Sequence, residues 1–185
     1  RVEAAARLRR AGFEPVAHLA ARRITTASEL AEFVARLRGE ADMRRMLVIA
    51  GDTAAAGPYP DALAVIRSGD LSRAGIEEIG IAGYPEDHPA IARAALQRAM
   101  ADKIAAARAV GLGLHIVTQF SFSPDAIVDF LRRLRAAGID VPVKVGMAGP
   151  TRLPSLLRYA MRCGVKASMQ GVASGAAATL VGRLA

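Results

Sequence analysis

Tryptophan is absent from this chain of 185 residues, and aromatic residues make up only 4% of it. The core therefore has to be built from Ala, Leu, Val and Ile, and hydrophobic residues do amount to 52% of the chain. The one cysteine, Cys163, permits no internal disulfide and is interpreted as a small packing residue. This length is sufficient for one domain with a hydrophobic core of its own.

Long hydrophobic runs are also absent from the sequence. No apolar stretch approaches the about 18–20 residues that a membrane-spanning helix needs, and no signal peptide is visible. Together with the single cysteine, this favours a cytoplasmic protein that has no membrane partner.

The formal net charge is +8 at pH 7, and arginine supplies almost all of the positive charge. A basic chain can attract nucleic acid or polyanionic ligands, or it can simply carry a solvated Arg-rich surface. We favour the second interpretation and expect no nucleic-acid partner, because there is no aromatic-rich binding motif. The arginines are also spread over many predicted helices, at Arg9, Arg36, Arg73, Arg108, Arg132 and Arg158.

Hydrophobic periodicity and capping residues predict an alternation of helices and strands. A capping box at Thr26-Ala27-Ser28-Glu29 marks one helix start, and Ser123-Pro124 marks another. The predicted strands are 13–20, ending near His18, then 45–50, 76–83, 114–122 and 141–147. The predicted helices are 2–10, 26–38 (closed by Gly39), 61–67, 90–110, 124–138, 153–162 and 168–184.

The apolar centres of the strands recur about every 30 residues, which is the size of one βα unit. Continuous apolar strands between amphipathic helices indicate a parallel sheet covered by helices. Such a sheet can be open and doubly wound, or closed into a barrel. No strand is followed by Gly-x-Gly-x-x-Gly, so the dinucleotide-binding fingerprint is missing.

Polar residues cluster where the predicted strands end. The stretch from Ile79 to Pro89 begins as a buried strand and then places Tyr84 and His88 on a segment that two prolines should keep stiff and extended. His18, Asp52 and Gln119 follow other strands in the same way. In a (β/α)8 barrel these strand ends converge on the face that carries the active site.

The chain begins at Arg1 and opens directly on a predicted helix. Five strands are too few for a closed barrel. We therefore expect residues 1–185 to be a single (β/α)8 TIM-barrel domain of which about five to six βα units are present, without its first one or two strands.

Four segments resemble the methylenetetrahydrofolate reductase family. They are Val16-Ala17-His18-Leu19, Ala50-Gly51-Asp52, Gly83-Tyr84-Pro85-Glu86-x-His88-Pro89 and Val117-Thr118-Gln119-Phe120-x-Phe122. Their order and spacing are similar to those of the family, and the resemblance covers about residues 1–164. It implies a (β/α)8 barrel that passes hydride from NAD(P)H through FAD to 5,10-methylenetetrahydrofolate, giving 5-methyltetrahydrofolate.

The resemblance also implies roles for individual residues. Asp52 resembles an acid between flavin and folate, and Gln119 resembles a residue shared by folate and nicotinamide; a core glutamine bonded to backbone is the alternative for Gln119. Tyr159 falls in a helix that contacts substrate in the family. The residues implied to contact FAD are His18, Ala50, Gly51, Asp52, Tyr84, His88 and Lys103.

The chain departs from the family pattern at several positions. Ala50 stands where the family has Arg, 145–150 replace a Pro-Gly-Ile-x-Pro segment, and the family's catalytic Glu belongs to a first strand that this sequence does not contain. Two alternatives therefore stay open: a homologue that has lost FAD or acts on another one-carbon carrier, and a non-catalytic barrel that binds a ligand or a partner subunit. We also expect a homo-oligomer.

Overall fold

A computed structural model describes residues 1–121 and 123–147, together with Ser155 and Arg158. The strands of this part are β1 (Ala17–Ala20), β2 (Arg45–Ile49), β3 (Glu78–Gly83), β4 (Gly113–Thr118) and β5 (Val143–Lys144). The helices are α1 (Val2–Arg10), α2 (Ala27–Ala41), α3 (Ala62–Ser68), α4 (Asp70–Arg73), α5 (Arg93–Ala109) and α6 (Pro124–Ala136). A 3-10 turn, Ala21–Arg23, follows β1.

The five strands form one sheet in the order β1-β2-β3-β4-β5. β1 pairs parallel to β2, and β2 pairs parallel to β3. Sequential order with helices between parallel strands is the arrangement that repeated βα units produce. The predicted parallel sheet is therefore confirmed.

Register divides the side chains of the first three strands between two faces. Leu19, Met46, Val48, Ile79 and Ile81 are almost completely buried and form the core face. The opposite face carries a row of three neighbouring residues, His18, Leu47 and Gly80. The next row on that face contains Ala20 and Ile49. His18 is exposed, and Ala20, Leu47, Ile49 and Ala82 are half-buried, so this second face is partly open.

Aliphatic side chains fill the centre of the core. The largest fully buried residues are leucines, isoleucines, valines and methionines, and none is aromatic. The prediction of a core built from Ala, Leu, Val and Ile describes most of it, but methionines contribute as well, and Tyr59, Phe120 and Phe130 are also buried, with 5%, 8% and 7% exposure.

Several element boundaries differ from those that the sequence predicts. β1 begins at Ala17 and not at Phe13, whose side chain is 62% exposed, so His18 is the second residue of a strand that ends at Ala20. α2 continues through Gly39 to Ala41 and ends where Asp42 adopts a left-handed conformation with φ of 41°. Arg9, Arg38 and Arg44 contact the Asp42 carboxylate there, at 3.0, 2.9 and 3.4 Å.

The chain separates into two compact units. Unit 1 comprises Arg1–Ala82 and Gln97–Ile116, and unit 2 comprises Gly83–Leu96 and Val117–Ala185. The predicted helices 153–162 and 168–184, with Cys163, lie outside the described residues apart from Ser155 and Arg158. No helix in the described part of the chain is long and apolar enough to cross a membrane.

Candidate functional site

In unit 1, a loop of residues 50–57, here called the Asp52 loop, follows β2 and carries Ala50, Gly51 and Asp52. Gly51 has φ of +93°, and a Cβ at this position would lie 3.2 Å from the Cβ of Ala20. The backbone of the loop therefore passes close against the end of β1, which glycine alone permits without strain. Asp52 is exposed.

Arg22 holds this loop with its backbone and its side chain. Its N–H donates to the carbonyl of Ala50 at 2.9 Å, and its own carbonyl accepts from Ala56 N–H at 2.9 Å. Its guanidinium donates to the carbonyl of Pro60 at 2.8 Å and to that of Gly51 at 3.4 Å. Nothing in the sequence marks this role, because Arg22-Arg23 reads as a pair of solvated cations.

A second glycine fixes the far end of the Asp52 loop. A Cβ on Gly57 would lie 2.3 Å from the carbonyl oxygen of Thr25 and 2.5 Å from that of Ile24. Since both obstacles are backbone atoms, no other residue fits without displacing the chain. The exposed carboxylate of Asp52 is thus carried by a loop that the backbone of residues 20–25 holds in place.

Lys103 lies on α5 in unit 1 and is half-buried. Burial lowers the pKa of its ammonium group below the ordinary value, and the negative charge of Asp61 opposes that shift. Asp61 is the N-cap of α3, where it accepts from Ala64 N–H at 2.9 Å. Among the described residues, no hydrogen bond or ion pair joins Lys103 to His18 or to the Asp52 loop.

In unit 2, residues 84–91 follow β3 and are here called the Tyr84 loop. The rings of Tyr84 and His88 meet edge to face, with centroids 5.3 Å apart and planes at 88°. The segment is not extended as expected: Asp87 N–H donates to the carbonyl of Tyr84 at 3.3 Å, and Asp87 has φ of 64°. This turn brings the two rings together.

The imidazole of His88 has a defined orientation. Its Nδ1 accepts from Ala90 N–H at 3.2 Å, and the residue pairs with Ile91 in an isolated bridge. Because Nδ1 is an acceptor, the neutral ring carries its proton on Nε2. His88 in this tautomer therefore offers an N–H donor at Nε2.

An ion pair braces the Tyr84 loop. The guanidinium of Arg93 donates from Nε to both carboxylate oxygens of Asp87, at 2.9 and 3.1 Å, and also from Nη2. The hydrogen bonds from Arg93 and its charge, aided by the charge of Arg133, hold the pKa of Asp87 below its usual value against the opposing effect of burial. The helix predicted from Ala90 begins at Arg93 instead, and Arg93 uses its side chain for this ion pair.

Gln119, also in unit 2, follows the last residue of β4 and is half-buried. Its backbone N–H donates to the carbonyl of Gly83 at 2.7 Å. Its side-chain oxygen accepts from the N–H of Phe120 at 3.1 Å. The amide thus makes one bond to backbone, as a structural glutamine would, and its NH₂ group points away from that bond.

The structure also shows a contact that the sequence did not predict, nearer the amino ends of the strands. His115 on β4 is 2% exposed, and its Nδ1 lies 2.6 Å from Oε1 of Glu78 on β3. Arg45 on β2 contacts the same carboxylate at 3.0 Å. These residues precede the strand ends that carry the site residues, so we assign them to the architecture of unit 1.

Five of the expected site residues share two loops, whereas His18 lies on β1, Lys103 on α5 and Gln119 after β4. Ala50, Gly51 and Asp52 share one loop in unit 1, and Tyr84 and His88 share another in unit 2. Tyr159 lies outside the described residues, and nearby Ser155 accepts a hydrogen bond from Arg158 at 3.2 Å.

A family comparison agrees with these strand-end motifs. The family model for methylenetetrahydrofolate reductase matches residues 2–170. The chain belongs to the methylenetetrahydrofolate reductase family. This family is a (β/α)8 barrel, and the parallel sheet of the described residues agrees with that fold class.

Three curated relatives of the family show how far the chain has diverged. It is 28% identical over 158 residues to the 5,10-methylenetetrahydrofolate reductase of Pectobacterium carotovorum subsp. carotovorum, covering 85% of this chain and 51% of the relative. It is 27% identical over 152 residues to the Salmonella typhimurium enzyme, covering 82% and 49%. Methylenetetrahydrofolate reductase 2 of Saccharomyces cerevisiae is 34% identical over 85 residues, or 44% of this chain and 13% of the relative.

The chain thus spans about half the length of the two bacterial relatives, which align over most of it. The match extends past the Asp52 and Tyr84 loops and Gln119. The family to which the chain belongs is one of oxidoreductases of folate metabolism.

Proposed function

We propose that the protein reduces 5,10-methylenetetrahydrofolate to 5-methyltetrahydrofolate with hydride from NAD(P)H, consuming one proton and using FAD as the carrier. Bound FAD would accept hydride from the nicotinamide and deliver it to the folate. The observation that carries this proposal is the combination of an exposed aspartate on a clamped loop with a paired Tyr–His loop, in a chain of this family. We further propose that residues 1–185 act as one barrel domain and that the protein is a homo-oligomer.

The segments around β1 and the Asp52 loop support a cofactor assignment. His18 is exposed on β1, and Ala50, Gly51 and Asp52 directly follow β2. Gly51 lets the neighbouring backbone come close. We therefore assign His18, Ala50, Gly51 and Asp52 to the cofactor.

The Tyr84 loop supplies a ring edge and a donor. Tyr84 offers an aromatic surface, and the Nε2–H of neutral His88 can donate to an acceptor atom of the cofactor. We assign both to FAD on the family resemblance, together with Lys103, whose partly buried ammonium group would meet a phosphate. Tyr159 is assigned to the folate on the resemblance alone.

Asp52 and Gln119 are assigned to the chemistry. Among the described residues no hydrogen bond or ion pair engages the Asp52 carboxylate, so its charge is available to a folate that becomes cationic as its bridge opens to an iminium ion. The side-chain oxygen of Gln119 is engaged by the N–H of Phe120, and its NH₂ group supplies donors that suit a carbonyl or ring nitrogen of a pterin and, in turn, a nicotinamide amide.

The test separates the two half-reactions. Protein loaded with FAD is mixed without oxygen with NADH or NADPH, and flavin absorbance is followed; methylenetetrahydrofolate is then added. We expect bleaching followed by recovery of the colour. The variant Glu40→Gln serves as a control, because Glu40 is exposed and pairs with its helix neighbour Arg36 on α2.

Two results would count against the proposal. Bleaching without recovery, when menadione still restores the colour, would indicate a flavoprotein that acts on another carrier. Protein that binds no flavin and oxidises no NAD(P)H would favour the divergent or non-catalytic homologue.

A further inference from the structure

The exit of β4 is clamped on both sides of Gln119. Gln119 N–H is bonded to Gly83, and on the other side Gly146 N–H donates to the hydroxyl of Thr118 at 2.8 Å. A Cβ on Gly146 would lie 2.5 Å from the carbonyl oxygen of Thr118 and 3.1 Å from the nitrogen of Phe120. The backbone at Gln119 therefore has little freedom to move.

The side-chain amide of Gln119 depends on that backbone. Because its oxygen accepts from the N–H of Phe120, the direction of the NH₂ group follows the orientation of the peptide that joins the two residues. Any displacement of Phe120 or of Ser121 would turn the amide donors away from their present direction.

The hydroxyl of Ser121 contacts Glu86 and the backbone of Ser123, whose carbonyl lies 3.4 Å away. Its side chain is buried, with 8% exposure, and its hydroxyl donates to a carboxylate oxygen of Glu86 at 2.5 Å. The same hydroxyl oxygen accepts from the N–H of Ser123 at 2.9 Å. Because its acceptor is an ionisable carboxylate, this hydrogen bond belongs to the stronger, charge-assisted class.

Glu86 is itself a fixed anchor. It lies in the Tyr84 loop between Pro85, whose carbonyl accepts from Arg133 at 3.5 Å, and Asp87, which is paired with Arg93. The bond to Ser121 thus joins the exit of β4 to a loop that has its own supports, 35 residues away in sequence.

We propose that Glu86 and Ser121 are positioning residues, whose hydrogen bond holds the Gln119 amide in the orientation that receives a reduced folate. This inference rests on the proposed function. A purely structural role is the alternative, because Ser121 also contacts the first residues before α6.

The experiment is a thermodynamic cycle on equilibrium binding. The probe is 5-methyltetrahydrofolate, whose Kd is measured by isothermal titration calorimetry on the FAD-loaded protein. Ser121→Ala and Glu86→Gln are made in the wild-type and in the Gln119→Ala backgrounds. Losing this one bond should weaken binding about 3- to 10-fold in the wild-type background, and less than about two-fold once Gln119 is absent.

Tyr59→Phe is the matched control. It removes a hydroxyl that donates to the Asp70 carboxylate at 3.2 Å in unit 1. It should lower thermal stability without changing the Kd of methyltetrahydrofolate.

The outcomes divide cleanly. Equal losses in both backgrounds, or no loss in the wild-type background, overturn the positioning role. If Gln119→Ala removes all measurable folate binding, the Kd of FAD is compared between Ser121→Ala and wild type instead. The inference expects these two FAD values to agree within about two-fold. A loss of FAD affinity as large as the loss of folate affinity in Ser121→Ala overturns the inference. A wild-type protein that binds FAD but no methyltetrahydrofolate overturns the proposed function, and this inference with it.

Discussion

The Asp52 loop and the Tyr84 loop both follow buried parallel strands, but different atoms hold them. The Asp52 loop is fixed mainly by backbone atoms, through two close glycine contacts and two backbone hydrogen bonds of Arg22, and the Arg22 guanidinium adds one bond to the carbonyl of Gly51. The Tyr84 loop is fixed by side chains, through an ion pair, a hydroxyl–carboxylate bond and an edge-to-face ring contact.

This difference decides what a sequence can reveal. A loop held by side chains needs particular residue types at particular positions. Tyr-Pro-Glu-x-His-Pro is therefore recognisable as a motif in the sequence. A loop held by backbone contacts can consist of alanine, glycine and proline, as 53–58 largely do. In that case only Asp52, the residue to which we propose a function, is distinctive in the sequence.

The largest effect is expected at Asp52, because its loop is rigid and its carboxylate is open. Asp52→Asn should slow folate reduction ~10²–10³-fold, while reduction of the flavin by NADH changes much less. In the proposed function, the carboxylate stabilises positive charge that develops only on the folate. Rapid-mixing measurements of the two half-reactions provide the comparison, and equal losses in both would contradict this role.

The next effect concerns the backbone clamp. Gly57→Ala should destabilise the protein by about 1–3 kcal/mol, since the new methyl group meets two carbonyl oxygens. Denaturant unfolding measures the loss. The control is Gly39→Ala in α2, where a Cβ meets nothing within 4 Å and helix propensity should raise stability by about 0.5–1 kcal/mol. An unchanged Gly57→Ala protein would show that the loop is not clamped.

Arg22→Ala should cost about 1–2 kcal/mol, because two carbonyl acceptors lose a charged donor. Its neighbour Arg23 is exposed, and Arg23→Ala should lie within about 0.5 kcal/mol of wild type. Proteolysis within 50–57 should also become faster in the first variant alone. If the two variants had the same stability and the same rate of proteolysis, Arg22 would not hold the Asp52 loop.

The smallest effect is a pH dependence in the Tyr84 loop. Because Arg93 lowers the pKa of Asp87, this carboxylate stabilises the fold above its unfolded pKa of about 3.9 and loses that contribution as the pH falls through the lower folded value. Asn tolerates the left-handed backbone of Asp87, so Asp87→Asn removes mainly the charge. Its Tm deficit should be present at pH 7 and vanish in strong acid; a deficit that persists there would contradict the assignment.

Much of the fold could be predicted because its signals are local. The bounds of α1 follow from the spacing of its apolar residues, and Ser123 caps α6 as expected, accepting from Ala126 N–H at 3.2 Å. Thr26 caps α2 in the same way, although Glu29 turns to Thr25 instead of completing the capping box. The predicted end of α2 at Gly39 was wrong, because the helix ends at Asp42, whose carboxylate three arginines contact.

The parts of the site that could not be predicted depend on distant partners. Arg22 is one of many arginines until its contacts with Gly51 and Pro60 are known, and these lie 29 and 38 residues away. Glu86 sits inside a recognised motif, yet its role follows from Ser121. His115 resembled any strand residue, and the charge that it meets lies on β3.

The binding of FAD to the wild-type protein and to Tyr84→Ala and His88→Ala tests the central claim most directly. Each protein is titrated with FAD, flavin occupancy is measured from its absorbance, and circular dichroism confirms that the fold is intact. The account predicts a yellow wild-type protein and a clear loss of flavin from both folded variants. A wild-type protein that takes up no FAD, or variants that retain full occupancy, would contradict it.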